Sequence, residues 1–362
     1  MKANLNLGSI SGIKIIIHWT FFLLIIWIAL QEINQGGSTE AVLFNVTLIL
    51  SVFVCVVLHE LGHALMAKHY GVQTKKITLL PIGGMASLDK IPEVPKQEFL
   101  ITIAGPLVNV VIALVLYFLI PVSYFTEQNI TELLYSLKKF SLQSFLFYLF
   151  IVNVGLVLFN LIPAFPMDGG RILRSLLAMK INRVKATQIA VSIGQFIAVI
   201  FLLIGLLYNP FLVFIALFIF IGAYGENQMV HHLAILKGHK VEDAMLTQIT
   251  KFNPNDSIQD VIMTLITGTE NDFVVIENEE VKGIVYHDEI IKNSQDKSLL
   301  IKDIMNSSFK LIDINTDLKK VYELTHSEKN NFFAVVDNNK LVGAIDLNNL
   351  NEYILLQAKL EY

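Results

Sequence analysis

Long apolar runs separated by short polar connections dominate the chain from residue 13 to residue 224. Six runs approach the roughly 20 residues that a helix needs to cross a bilayer. They are Ile13–Leu30, Ala41–Ala67, Phe99–Ile120, Phe140–Leu161, Ala190–Leu207 and Pro210–Tyr224, the last being short. The connections carry charge asymmetrically. Gln31–Glu40 and the turn at Tyr208–Asn209 contain no Lys or Arg, and Pro121–Lys139 has only Lys138 and Lys139 at its end. The two alternate connections hold Lys68, Lys75, Lys76, Lys90 and Lys96, and Arg171, Arg174, Lys180, Arg183 and Lys185. Basic connections stay on the cytoplasmic side, so both of them, and with six spans both termini, are expected there.

The connection Lys75–Lys90, KKITLLPIGGMASLDK, breaks this pattern. It alternates, is β-prone, and is more apolar than a solvated loop. It reads either as a re-entrant β-hairpin lying against the bundle, where protein or water covers its backbone, or as an interfacial loop.

Beyond the last run the pattern changes and then repeats. Asp243 and Met245 of VEDAM recur as Asp303 and Met305 of IKDIM, Phe273 recurs as Phe333, and Gly283 as Gly343, each with an offset of 60. In each copy a helical stretch, Ile258–Ile266 or Leu318–His326, precedes two short apolar strands joined by an Asn/Asp/Glu turn. Such twinned units bury their faces against each other.

Composition supports this division. The 362 residues are 54% apolar and only 16% charged, against about 25% charged in an ordinary soluble domain. Charges cluster between the apolar runs and become dense only in the tail. A membrane domain over 1–238 and a soluble domain over 239–362, with repeats at about 241–300 and 301–360, are expected. The net charge of −4 gives no electrostatic footprint for nucleic acid. The single cysteine, Cys55, excludes an internal disulfide and any multi-cysteine metal site. Met1–Gly12 is mildly polar and the run after it is long, so no cleavable signal peptide is expected.

Candidate chemistry lies in the second run, VCVVLHELGHALMAKHY, which carries His59, Glu60 and His63. Residues four apart share a helix face, so the two imidazoles can bind one tetrahedral zinc ion, with Glu60 beside them to accept a proton from water. An acid and two histidines in a lipid-length run are costly unless they serve a site. A third ligand is required, and Asp168 is the candidate: it follows the fourth run, where Pro163 and Pro166 must open the helix end and free backbone to bend inward. His63 and His59 lie five and nine residues before Lys68, which sets the site on the order of 10 Å below the cytoplasmic interface at about 1.5 Å per residue. Asn160 by itself reads first as a helix–helix hydrogen-bond residue. Cys55, one turn before His59, reads as a small packing residue, His18 as an interface anchor, and His69, His231, His232 and His239 as solvated. A channel would need polar residues spread along several spans, whereas here they form one cluster at one depth.

The ordered motifs HELGHALMA, PIGGMA, AGPLVN (Ala104–Asn109) and NLIPAFPMDGGR resemble the site-2 protease family of intramembrane metalloproteases across the whole membrane part. The repeated tail resembles a tandem CBS-domain pair. The implied fold is a polytopic α-helical membrane protein followed by an α/β tandem CBS domain. The resemblance implies a metalloendopeptidase with His59, His63 and Asp168 as ligands of one Zn2+ and Glu60 as general base. Asn160 becomes a residue that positions the scissile peptide, and the hairpin around Gly83-Gly84 an edge against which an unwound substrate strand can pair. The implied substrate is a single-pass transmembrane protein, cleaved in the cell membrane. CBS pairs often bind adenine nucleotides, yet the hydroxyl of their usual strand-end pattern is absent from Gly283–Glu289 and Gly343–Asn349. A dimerising or gating role is therefore an equal expectation.

Overall fold

The structure, a computed structural model, describes residues 4–81, 83–88, 94–120, 140–327 and 331–360. Lys90 and the whole connection 121–139, with Lys138 and Lys139, lie outside the described residues. The chain forms two compact units, Met1–Val230 and His231–Tyr362. The compositional shift falls slightly later, at residue 238, because the last long helix runs on to Ile235.

In the first unit, strands β1 (Asn4–Ile10), β2 (Ile13–His18), β3 (Thr74–Leu80) and β4 (Gly83–Leu88) form one sheet in that order. β1–β2 and β3–β4 are antiparallel hairpins, and β2 runs parallel to β3 with Lys14 opposite Lys76 and Ile17 opposite Leu79. Of the two readings of the Lys75–Lys90 connection, the hairpin is the one that forms. The first apolar run is only partly helical. Its opening residues, IKIIIH, bury Ile13, Ile15 and Ile17 on one face, a period of two that β-branched side chains favour in a strand. The helix after it, α1 (Thr20–Asn34), has 15 residues, short of a full crossing.

Among the described residues, five further helices are long and apolar enough to cross a membrane: α2 (Thr39–His69), α3 (Pro95–Leu119), α4 (Leu142–Asn160), and, after the short α5 (Asp168–Ala178), α6 (Arg183–Leu207) and α7 (Pro210–Ile235). The sheet packs on α2. Ile13 and Ile77 bury against Leu61 and Ala64, while Ile17 and Leu79 bury against Phe21 and Phe53. Lys68 Nζ donates to the Ser11 carbonyl in the β1–β2 turn at 2.9 Å. The β3–β4 hairpin is thereby held beside the helix that carries both histidines.

The second unit contains the two expected copies. One sheet has the order β5 (Lys251–Phe252), β6 (Phe273–Glu277), β7 (Glu280–Val285); the other has β10 (Lys340–Asp346), β9 (Phe332–Asp337), β8 (Leu311–Asp313). The strand turns Asn278–Glu279 and Asn338–Asn339 have positive φ at both residues, as two-residue hairpins require. Val274 and Ile284 of the first copy pack with Phe332, Ala334 and Ala344 of the second, so the twin faces are mutually buried. His232 and His239 are not simply solvated: their Nδ1 atoms lie 2.9 Å from Tyr322 Oη and 2.8 Å from Tyr353 Oη.

Candidate metal centre

Helix α2 begins with Ser38, whose hydroxyl accepts from the Ala41 N–H at 3.2 Å, and it is apolar through most of its 31 residues. The one-turn spacing sets the His59 and His63 rings 4.7 Å apart. Asp168 reaches them from the first turn of α5. Helix α4 ends at Asn160, and the segment through Pro163 and Pro166, with a cis Phe165–Pro166 bond, folds inward. Ala164, Phe165 and Met167 in this segment are buried.

The result is a small triangle. His59 Nε2 and His63 Nε2 are 3.1 Å apart, and each is 3.2 Å from Asp168 Oδ2. Ligands 2.0–2.1 Å from a tetrahedral ion stand about 3.3 Å from one another, so the triangle has the edge length of a zinc site. Its proton arrangement points the same way. His59 Nδ1 lies 2.5 Å from Asn109 Oδ1, and His63 Nδ1 lies 2.8 Å from the Ile101 carbonyl. Both partners are acceptors, so each ring carries its proton on Nδ1 and turns the Nε2 lone pair inward. Asp168 Oδ2 is buried and receives no hydrogen bond. Three lone pairs converge without a proton between them, and a cation satisfies all three at once.

Two motif glycines make room for this arrangement. A Cβ on Gly105 of AGPLVN would overlap the His63 ring, and one on Gly84 of the hairpin would lie 2.7 Å from Glu60 Cγ. Around the triangle lies a cavity of about 640 Å³, lined in part by Glu60, Leu80, Gly83, Gly84, Asn160 and Arg171. The structure thus gathers every expected site residue around one space. Cys55 is buried, with the Asn153 amide 3.5 Å from its sulfur, and packs without joining the triangle.

Two features were not read from the sequence. Asn109 is fully buried against His59, and its signal was a lone amide at the end of AGPLVN within an apolar run. Arg174, a connection charge by its place in the sequence, is 1% exposed. Its guanidinium pairs with Glu98 of α3 and Glu226 of α7, Arg183 Nη2 lies 3.2 Å from Glu98 Oε2, and the Phe165 ring lies 5.0 Å beneath it. Two arginines and two glutamates balance inside the bundle. They tie the helix that bears Asp168 to its neighbours, a role open to a cation only because it is paired.

Comparison with known proteins gives the family. Residues 47–205 match the model of peptidase family M50, and residues 241–296 and 301–356 each match the CBS domain. A zinc metalloprotease of Methanocaldococcus jannaschii is 38% identical over 348 residues, covering 95% of this chain and 94% of that protein. The stage IV sporulation protein FB of Bacillus subtilis is 32% identical over 142 residues, 39% of this chain and 44% of that one. Among solved structures, the site-2 protease of Methanocaldococcus jannaschii is 42% identical, covers 62% of this chain and 95% of its own, and superposes with a TM-score of 0.45. With a metal-shaped triangle, an adjacent glutamate and a relative similar over nearly its whole length, the chain belongs to peptidase family M50, the site-2 protease type of zinc metalloendopeptidase, and carries a CBS pair.

Proposed function

We propose that the chain is an intramembrane protease of regulated proteolysis, cutting a single-pass membrane protein within or near its transmembrane segment. The observation that carries this is the triangle of lone pairs set among helices of spanning length, with Glu60 lining the same cavity. His59, His63 and Asp168 would hold the ion. Zinc bound there would supply Lewis acidity, lowering the pKa of a water to about 7 and polarising a carbonyl. Glu60 takes the proton from the attacking water and delivers it to the leaving amine.

A helical peptide bond is shielded, so the substrate must unwind locally before attack. The β3–β4 hairpin ends its sheet at β4, beside Glu60 through Gly84, and an extended segment can add there as a further strand, with Gly83 and Gly84 allowing close approach. Asn160, on the cavity wall, is suited to hold the scissile amide. The basic connections, with the N-terminal β2 paired to β3 beside the first of them, favour a site nearer the cytoplasm and both termini on that side of the cell membrane.

The membrane protease domain corresponds to residues 1–238 and the regulatory CBS pair to 239–362, which gates or dimerises the enzyme. A cleft of about 800 Å³ in the second unit is lined by Glu270, Asp272, Asp346 and Glu352 and, among the described residues, by no Lys, Arg or His. That field repels the phosphates of an adenine nucleotide and favours the scaffold role over nucleotide control.

Comparative membrane proteomics of the wild type and a Glu60→Gln strain tests the reading. A single-pass protein should accumulate uncut in the variant. Identical fragments in both strains would overturn it.

A further inference from the structure

Helix α4 reads FLFYLFIVNVGLVLF around Asn153, and an amide in such a run is unexpected in a lipid-spanning helix. Asn153 is fully buried, as is Asn109. Their amides form a directed chain across three helices. Asn153 Nδ2 donates to the Leu149 carbonyl one turn back on α4, at 2.8 Å. That bond fixes which way the Asn153 amide faces, so its Oδ1 is presented to α3. Asn109 Nδ2 donates to this oxygen at 2.8 Å. Asn109 must then present its own Oδ1 to α2, where His59 Nδ1 lies 2.5 Å away.

An asparagine alone does not choose a histidine tautomer, because its amide can rotate and offer either oxygen or NH2. Without Asn153, Asn109 could present its NH2 to His59 Nδ1. The ring proton would then sit on Nε2, aimed into the triangle where a metal ligand needs a lone pair. With Asn153 in place only one order satisfies every donor and acceptor, and the backbone carbonyl of Leu149 sets it.

We propose that Asn153, acting through Asn109, is a positioning residue that locks the His59 tautomer and so preforms the metal site. The proposal rests on the zinc assignment above, and its test separates the two. Zinc affinity of the purified full-length chain in detergent is measured by chelator competition, with the absorption spectrum of the Co2+-substituted protein as a second readout of ligand geometry. Thermal melting of the metal-free chain reports fold separately. Asn109→Leu should weaken zinc by about 10- to 100-fold, the usual cost of losing the partner of a metal-bound histidine. Asn153→Leu should weaken it by on the order of 10-fold and alter the Co2+ spectrum, although residue 153 touches no ligand.

Asn109→Asp presents an acceptor oxygen in either rotamer, so it should keep near wild-type affinity. In that background Asn153→Leu should cost nothing further. Wild-type zinc affinity in Asn153→Leu, or an equal loss with and without Asn109→Asp, would overturn the relay while leaving the zinc site standing. A wild-type chain that holds no zinc would overturn the zinc assignment itself, and the relay with it.

Discussion

Gly105→Ala adds a single methyl group, and the structure states where it goes. The new Cβ falls on the His63 imidazole, overlapping Nε2 and Cε1 and standing only 2.7 Å from Cδ2. Carbon contacts settle at about 3.5–4.0 Å, so the ring must retreat by roughly 0.8 Å even at Cδ2 and by more at Nε2. Metal–ligand distances hold to about ±0.2 Å, so that retreat takes Nε2 out of coordination. The shift also strains the 2.8 Å bond between His63 Nδ1 and the Ile101 carbonyl. The helices can relieve it only by parting, at an overpacking cost of about 1–3 kcal/mol. Zinc affinity should fall by at least about 100-fold, beyond the effect of losing an outer hydrogen bond, while helix content persists. Gly155→Ala on α4, where the added methyl meets nothing within 4 Å, is the matched control and should bind zinc normally. Chelator competition and circular dichroism on the two purified variants decide the matter. Wild-type zinc affinity in Gly105→Ala would refute the placement of His63.

Arg174→Leu leaves Glu98 and Glu226 without their shared partner, a loss of about 3–5 kcal/mol for a broken buried pair, read as a lower Tm in detergent. An unchanged Tm would contradict the charge balance described for this cluster. In the second unit, burial pushes the Asp272 carboxyl above its ordinary value, against the hydrogen bond it accepts from the His287 N–H. A raised acid favours the folded state most below its unfolded pKa and loses that advantage as pH rises through the folded value. Stability of the second unit should therefore fall as pH climbs past the usual carboxylate range, and Asp272→Asn should flatten that slope in hydrogen-exchange measurements; an unaltered slope would remove Asp272 as its source. Calorimetry of the full chain with ATP and AMP should give no binding heat, given the carboxylate lining of the cleft, and a saturable signal would restore nucleotide control.

Much of this was legible in the chain. The His59–His63 spacing, the prolines before Asp168 and five of the six apolar lengths each act locally, and the structure keeps them. The 60-residue repeat likewise survives as two sheets with matched turns. What was hidden depends on partners far away in sequence. IKIIIH reads as the start of a span because a run of isoleucines looks the same whether lipid or a sheet neighbour covers it. Pairing with β1 on one side and with β3, some 60 residues on, on the other makes it a strand within the sheet. Arg174 reads as a connection charge until Glu98 and Glu226 arrive beside it. Asn109 and Asn153 are ordinary amides until α2, α3 and α4 stack them in line.

The central claim, hydrolysis by Glu60 beside an ion held by His59, His63 and Asp168, has a direct test. Purified wild-type and Glu60→Gln chains are assayed together for zinc content and for cleavage of a single-pass substrate in proteoliposomes. Both should hold about one zinc ion per chain, as one set of three protein ligands implies, and only the wild type should cut. Full cleavage by Glu60→Gln would contradict the account.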